Sequence, residues 1–160
     1  MGLLQLSEWM KLDGTVSADT ISHQIEEALS AFQNVTRLDS SRAHFDDLMW
    51  LGLGIAYRRT GKHAAARKAL EHLIEQSNTG DVVFEGEWHL AAVESEMGLA
   101  KCAASRLKRL VSERPEDVCT RHSLVMVLHA LASDLIDEGC AHAAAFIVQD
   151  ALVEARINCE

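Results

Sequence analysis

The sequence predicts an all-α fold built from tandem helical hairpins, and three observations support this prediction. A small residue followed four positions later by a larger apolar residue recurs four times, at spacings of 38, 37 and 41 residues. The pairs are Ala28/Phe32, Ala66/Leu70, Ala103/Leu107 and Ala144/Val148. A glycine stands five positions ahead of three of the pairs, at Gly61, Gly98 and Gly139. Proline occurs once, and the sequence has almost no β-branched or aromatic runs at period two, which favours helices over strands.

The predicted elements follow from local signals along the chain. A short helix at 3–11 ends before Asp13 and Gly14, and a second helix spans about 18–38. That second helix carries an apolar stripe at helical spacing, formed by Ile21, Ile25, Ala28, Leu29, Phe32 and Val35. Further helices are predicted at 44–59, 64–76, 83–96, 100–113, 117–137 and 141–157. The chain therefore contains about eight or nine helices.

Residues 50–70 carry the most specific pattern. Its members are Trp50, Leu53, Gly54, Tyr57, Gly61, Ala66 and Leu70. This pattern resembles the tetratricopeptide repeat. The resemblance implies a right-handed superhelix of stacked antiparallel helical hairpins, in which the first helix of each hairpin lines a concave groove.

The resemblance implies one TPR-like domain over residues 1–160. In the second unit Trp88, Ala91 and Ala92 match the first helix, and Gly98, Ala103, Leu107 and Pro115 match after a one-residue deletion. The domain divides into an N-terminal extension or degenerate repeat at 1–44, repeats at 45–80 and 81–116, and a degenerate repeat with a C-terminal cap at 117–160.

Small residues and glycines are expected at the tightest points of the array. We expect Gly54 and Ala92 where paired helices cross most closely, with Ala66 and Ala103 opposite them. The glycine ahead of each small residue is expected to take the positive φ that ends a helix. Three large side chains should fill the seams between hairpins: Trp50, Tyr57 and Leu70.

Composition and charge exclude several classes of protein. Apolar residues make up 48% of the chain, so disorder is not expected despite a net charge of −9. The most apolar stretch, 124–136, is interrupted by His129 and Asp134 and is too short to span a bilayer. The N-terminus lacks a basic region and a cleavage site, so we expect a cytoplasmic protein without a signal peptide. An acidic chain without interleaved aromatics does not favour nucleic-acid binding.

The sequence predicts no enzyme, cofactor or metal site. Its four cysteines form no CxxC pair and are expected to be small buried residues: Cys102, Cys119, Cys140 and Cys159. A zinc site would have to combine Cys119 and His122 with Cys140 and His142, at irregular spacing. Catalysis would have to use Glu96 with His129, which no motif supports.

The resemblance implies a partner groove along the first helices, which would bind a peptide or amphipathic helix of another protein. Its predicted members are Leu48, Leu51, Ile55, Arg58, Arg59, His89, Val93, Glu96, Met97, His129, Ser133 and Ile136. The Lys and Asn pattern of carboxylate-clamp repeats is missing. Two alternatives stay open: Leu51, Ile55 and Val93 pack against the N-terminal helices, or Arg58 and Arg59 form a solvated helix end.

Two further hypotheses concern the kind of partner. The Trp50–Gly54 entry and the His89–Ala92 helix also resemble class II chaperones of type III secretion, which implies a secreted protein as the partner. Alternatively, the chain is a subunit of a homo-oligomer, such as a homodimer, that associates through end-repeat surfaces including Ile147 and Val153.

Overall fold

The described part of the protein is all-helical. The computed structural model describes residues 47–157, together with residues 23, 26–28, 30, 31 and 34, and no strand occurs among them. Six helices occupy 47–157: α1 Asp47–Arg59, α2 His63–Gln76, α3 Gly80–Glu96, α4 Ala100–Glu113, α5 Val118–Asp137 and α6 Ala141–Ile157. The connecting loops are three or four residues long, so successive helices form hairpins.

The helix bounds confirm the predicted elements with one shift. The break after α2 is limited to residues 77–79, so α3 begins at Gly80 and not at Val83. The structure describes six helices at 47–157, and residues 23, 26–28, 30, 31 and 34 are also helical, so the predicted total of eight or nine is not reached among the described residues. The predicted helix at 3–11 and most of the apolar stripe at 18–38 lie outside the described residues.

The three hairpins share one turn structure, which confirms the predicted role of the glycines. Gly61, Gly98 and Gly139 have φ of 70°, 78° and 78°. Each glycine N–H donates to the carbonyl three residues earlier, and the next N–H donates to the carbonyl five residues earlier, at 2.7 to 3.0 Å. This is the Schellman arrangement, which binds the last carbonyls of a helix through a residue in the left-handed region.

These turns fix which residues correspond between hairpins. The carbonyls that accept from the residue five positions later belong to Tyr57, Glu94 and Leu135. The second hairpin therefore follows the first by 37 residues, and the third follows the second by 41. Gly54 therefore corresponds to Ala91 and not to Ala92. Ala91 is fully buried while Ala92 is half-buried, so the predicted match of Ala92 to the crossing position was wrong by one residue.

The small residues lie where paired helices approach most closely. A Cβ built on Gly54 would stand 2.5 Å from the Leu70 side chain. Ala66 and Ala103 have no exposed surface, and Ala144 keeps 2%. The prediction for Gly54, Ala66 and Ala103 is confirmed. Ala28, the corresponding residue of the predicted N-terminal unit, is exposed.

The core is divided between the seams that join neighbouring helices. One cluster joins α1, α2 and α3 and consists of Leu51, Ala66, Leu70, Leu73, Leu90 and Val93. A larger cluster joins α3, α4 and α5, and Ile147 of α6 packs against it. The partly buried rings of Trp50 and Tyr57 pack against the first seam, as predicted. Each seam thus needs helices from two hairpins.

The first helices of the hairpins also contact one another. α3 packs on α1 in addition to α2 and α4, and α5 likewise contacts α3. Among the described helices, α2 with α4 and α4 with α6 make still slighter backbone contacts, although Lys108 of α4 forms an ion pair with Asp150 of α6. Contacts between the first helices of successive hairpins, above all between α1 and α3, are thus more extensive than those between the second helices.

The start of α5 carries an acidic cap. The Asp117 carboxylate accepts hydrogen bonds from the backbone N–H of Cys119 at 3.0 Å and of Thr120 at 3.4 Å. It also accepts from the Thr120 hydroxyl at 2.7 Å. A negative side chain at this position satisfies orphan donors and lies at the positive end of the helix dipole.

The cysteines depart from the prediction. Cys102, Cys119 and Cys140 are free and exposed, and Cys159 lies outside the described residues. Burial had been expected from the alanine-rich surroundings. However, Cys102 and Cys119 lie in the first turn of a helix and Cys140 lies in a turn, where the chain faces solvent.

Candidate interaction surface

The row formed by α1, α3 and α5 presents the predicted groove residues in two groups. Those with surface accessible to a partner are Leu48, Ile55, Arg58, Arg59, Glu96, Met97, His129, Ser133 and Ile136. The remaining three, Leu51, His89 and Val93, are buried. Val93 has no exposed surface and belongs to the seam between the first two hairpins.

Leu51 is buried in the first seam, whereas the burial of His89 and Val93 is explained by the register of the second hairpin. The 37-residue offset places Trp88, Ala92 and Ser95 at the positions of Leu51, Ile55 and Arg58, whereas the prediction used residues one position later. The third hairpin was matched in the correct register. His129, Ser133 and Ile136 follow Leu51, Ile55 and Arg58 by the sum of the two offsets, 37 and 41 residues. The signal that identifies the register is the constant spacing of 37 between Leu53 and Leu90, Gly61 and Gly98, and Leu70 and Leu107.

Two exposed residues of this surface were missed. Glu85 and Met126 correspond to Leu48 in the second and third hairpins, and both are exposed. Leu48 and Met126 expose 47% and 56% of their surface. Leu48, Glu85 and Met126 lie in the earlier part of α1, α3 and α5, and Ser95 and Ile136 lie nearer to the hairpin turns. We refer to the surface formed by Leu48, Glu85, Met126, His129, Ser133, Ile136 and Arg59 as the inner row.

Trp88 links two hairpins beside the inner row. Its ring is partly buried against the larger core cluster, and its Nε1–H donates to the Ser123 hydroxyl of α5 at 3.0 Å. Because an indole N–H that lacks a partner is costly to bury, this bond holds α5 in a defined position on α3.

A charged cluster closes one end of the inner row. The Nε–H of Arg58 donates to Glu96 Oε1 at 2.9 Å, and His63 Nδ1 lies 3.3 Å from Glu96 Oε2. An open cleft of about 430 Å³ is lined by Arg58, Arg59, Gly61, His63 and Glu96. Glu96 therefore neutralises Arg58, while Arg59 lies exposed at the end of α1. The predicted basic spot is partly occupied by the molecule's own carboxylate.

His89 lies beneath this cluster. Burial, together with the positive charges of Arg58 and Arg59, lowers the pKa of its imidazole from 6.5 to about 4. Its Nδ1 atom is buried without a hydrogen-bond partner, and its ring meets Trp88 edge-on at 4.8 Å. The side chain is therefore a neutral core residue near neutral pH, and it offers no surface to a partner.

The second hairpin replaces the two aromatic residues of the repeat pattern with glutamates. Glu87 and Glu94 correspond to Trp50 and Tyr57, and they expose only 7% and 3% of their surface. Arg106 donates to both carboxylate oxygens of Glu94, at 3.0 and 3.2 Å, and its Nη1 lies 3.6 Å from Glu87. Arg109 contacts Glu87 as well. The bidentate, charge-assisted bonds compensate much of the cost of burying Glu94. Glu87 Oε2 accepts no hydrogen bond within the described residues and is compensated by the nearby charges of Arg106 and Arg109.

The arginines stand at matching positions of the partner helix. Arg109 corresponds to His72, whose ring lies 4.3 Å from that of Trp50 in the first hairpin. Arg106 corresponds to Ala69, which belongs to the cluster on which Tyr57 packs. The two hairpins therefore use the same pair of contacts with different chemistry, aromatic in the first and ionic in the second. The sequence prediction matched Trp88 to Trp50, so it missed that Glu87 stands at this position in the second hairpin.

The remaining candidates within 47–157 concern metal binding, the pairing of Glu96 with His129, and membrane spanning. No group of three or more His, Cys, Asp or Glu side chains is placed to hold a metal ion in the part of the chain that the structure describes. Glu96 binds Arg58 and His63, while His129 lies exposed on α5. Within the same described residues, no helix has both the length and the apolar character to cross a membrane.

Together, the recurring turn, the in-phase small residues and the shared seams define an all-helical protein with an internal hairpin repeat, which is consistent with a TPR-like protein. Superkiller protein 3 of Schizosaccharomyces pombe, a TPR-containing protein, is 28% identical to this chain over 110 residues. That similarity covers 66% of this chain and 7% of the relative, so the chain spans a small part of the relative's length. No family model matches the chain. No solved structure matches it either.

Proposed function

We propose that this protein is a non-enzymatic interaction module whose inner row binds a segment of another protein. The observation that carries the proposal is the packing of α3 on α1 and, to a smaller extent, of α5 on α3, which among the described helices exceeds the contacts of α2 with α4 and of α4 with α6. A closer row on one side bends a stack of hairpins, and the inner side becomes concave. We infer that the hairpins form the right-handed superhelix of TPR-like proteins, with the inner row facing the concavity.

The chemistry of the inner row favours an amphipathic segment. Leu48, Met126 and Ile136 expose 47%, 56% and 58% of their surface, which is enough apolar area to anchor side chains at helical spacing. His129 and Ser133 supply polar groups between them. Arg59, at the end of the first helix, favours an acidic group at the matching end of the partner.

The type III secretion chaperone hypothesis is a narrower form of this proposal and stays a prediction. It names a secreted protein as the segment bound along the same surface. The limited similarity to a TPR-containing protein supports protein interaction in general.

Site-specific photocrosslinking in the protein's own cells tests the proposal. A photoreactive residue at Met126 should capture one partner protein, and the same residue at Ser105, which is exposed on α4, should not. The variant Arg59→Glu/Ile136→Glu should abolish capture from Met126, while Lys68→Glu on the exposed side of α2 should leave it intact. Equal capture from Ser105 and Met126, or no capture from Met126, would refute the inner row as the binding surface.

A further inference from the structure

The end of the inner row next to the hairpin turns changes the sign of its charge from the first hairpin to the third. Arg59, Glu96 and Asp137 stand at equivalent positions of the three hairpins, at the offsets of 37 and 41 residues. All three are exposed. Lys62 adds an exposed positive charge at the first turn, and Glu138 adds an exposed negative charge at the third. We refer to these five residues as the turn edge, which is basic on one side and acidic on the other.

The charges at the two sides of the turn edge are left uncompensated. Glu96, in the middle, is bound by Arg58, whose Nη2 lies 2.8 Å from Glu96 Oε1. Arg59 forms no ion pair with any described residue, and neither do the two acidic side chains at the end of α5. The positive potential on the first hairpin reaches the core, where burial and then the charges of Arg58 and Arg59 lower the pKa of His89 to about 4.

The acidic side of the turn edge opposes the folding of its own helix. α5 ends at Asp137 with Glu138 as its C-cap, and its last turn contains no basic residue. The last turn of α1, in contrast, carries Arg58 and Arg59. Negative side chains at a helix C-terminus lie at the negative end of the dipole and destabilise the helix. Arrangements that break a local rule of stability in this way are expected at functional sites.

The turn edge has the length of a short helical segment. Packed helices lie 8–10 Å apart, so α1 and α5, on either side of α3, are separated by roughly 20 Å. A bound helix of about 13 residues covers this distance, at about 1.5 Å per residue. One end of such a segment meets Arg59 and Lys62, and the other meets Asp137 and Glu138. Ile136, which is 58% exposed, offers an apolar contact beside the acidic side.

We propose that the segment bound to the inner row carries separated charges, with its acidic end beside Arg59 and Lys62 and its basic end beside Asp137 and Glu138. This inference rests on the proposed function and adds the charge pattern of the partner and its direction across the hairpins. A segment in the reverse direction would bring like charges together at both ends, which is unfavourable. The turn edge therefore selects both the kind of segment and its orientation.

Photocrosslinking locates the two ends of the bound segment. Photoreactive residues at Ile55 and Ser133 stand at equivalent positions, about one turn before Arg59 and Asp137. Mass spectrometry of the adducts should place the attachment from Ile55 next to acidic residues of the partner and the attachment from Ser133 next to basic ones. The reverse order, or the same net charge beside both attachments, would overturn the proposal.

Charge reversal at the acidic side measures its contribution to binding. The segment that Met126 captures, made as a synthetic peptide, should bind Asp137→Lys/Glu138→Lys at least about tenfold more weakly than the wild type in fluorescence anisotropy, because its basic end then meets positive charge. In thermal unfolding this variant should be at least as stable as the wild type, because lysine complements the dipole of α5. Glu75→Lys/Glu113→Lys reverses two exposed acidic residues near the ends of α2 and α4 and should bind the peptide like the wild type.

The outcomes separate this inference from the proposed function. If Met126 captures a partner whose segment binds Asp137→Lys/Glu138→Lys as tightly as the wild type, the charge order is wrong while the inner row remains the binding surface. If Met126 captures nothing, the proposed function and the charge order both fail. A cross-link from Met126 to residues 1–46 of the same chain, in place of another protein, would also overturn both.

Discussion

Gly54 and Leu70 show how a single residue sets the distance between two helices. A Cβ on Gly54 would lie 2.5 Å from two atoms of the Leu70 side chain, which is itself fully buried. Neither helix can move apart without opening the first seam. The same constraint recurs in the second hairpin, where Ala91 fits at the equivalent position beside Leu107.

Gly54→Ala should therefore destabilise the fold by about 1–3 kcal/mol, as overpacking of a filled core does. Chemical denaturation monitored by circular dichroism measures the change. Gly80→Ala is the matched control, because nothing lies within 4 Å of a Cβ at that position. In the background Leu70→Ala the cost of Gly54→Ala should disappear, and a cost that persists there would show that Leu70 is not its cause.

His89 gives the protein a pH dependence of known sign. Its pKa is lowered from 6.5 to about 4 by burial and by the charges of Arg58 and Arg59. Between these values the unfolded chain takes up a proton that the folded chain does not. The contribution of His89 to stability is thus complete above pH 6.5 and is lost as the pH falls toward 4.

We expect this loss to approach about 3 kcal/mol, since each pKa unit corresponds to about 1.4 kcal/mol. His89→Gln should flatten the part of the stability profile between pH 6.5 and 4, measured by urea unfolding at each pH. His129→Gln, on the exposed surface of α5, is the control and should keep the wild-type slope. A His89→Gln profile as steep as that of the wild type would contradict the assignment.

At the scale of elements, the turn after each first helix is specified by one glycine. Gly98 has φ of 78°, and nothing lies within 4 Å of a Cβ there. The need for glycine is therefore conformational and not steric. Gly98→Ala should cost about 1–2 kcal/mol, the penalty of the left-handed region for a residue with a Cβ.

Thermal unfolding of Gly61→Ala, Gly98→Ala and Gly139→Ala compares the three turns directly. Because the turns have the same hydrogen bonds, the three variants should lose similar stability. A neutral effect at one of them would show that its hairpin does not end in the Schellman turn.

The ionic contact between α3 and α4 yields another element-scale prediction. Arg106→Ala leaves the carboxylate of Glu94, which is 3% exposed, without its bidentate partner and should cost about 3–5 kcal/mol. The double variant Glu94→Tyr/Arg106→Ala reproduces the Tyr57 and Ala69 pair of the first hairpin. Most of the loss should be recovered, because no buried charge remains at that position.

Lys108→Ala is the control for this pair of variants. Lys108 and Asp150 form an exposed ion pair with about half of each side chain in solvent, so its removal should change stability by less than about 1 kcal/mol. Equilibrium unfolding in urea measures all three variants. If the double variant is no more stable than Arg106→Ala, the two hairpins do not use equivalent contacts.

Across the whole molecule, the sequence predicted the fold well because its signals were local and periodic. Turn glycines and the small residues that follow them act within one or two turns of the backbone, and each lies where it was expected. The candidate surface was predicted less well. Trp88 was matched to Trp50, which displaced the second hairpin by one residue and placed buried His89 and Val93 in the groove.

The one-residue error in the register of the second hairpin has a physical cause that cannot be read from a single sequence. Glu87 stands at the position of Trp50 only because Arg106 and Arg109 compensate its charge from α4. A partner twenty residues away in sequence is visible only once the helices are packed. The sequence also did not show which side of α6 is exposed. Ile147 was predicted at an outer surface, yet it packs against the core, while Phe146 and Leu152 are exposed.

An experimental structure of the chain tests the central claim most directly, through superposition of 47–76 on 84–113 and on 125–154. The account predicts that Gly61, Gly98 and Gly139 coincide, and that Gly54 coincides with Ala91 and with Ala132. Superposition that instead requires Ala92 at the crossing position, or hairpins whose small residues do not coincide, would contradict the repeat and the surface derived from it.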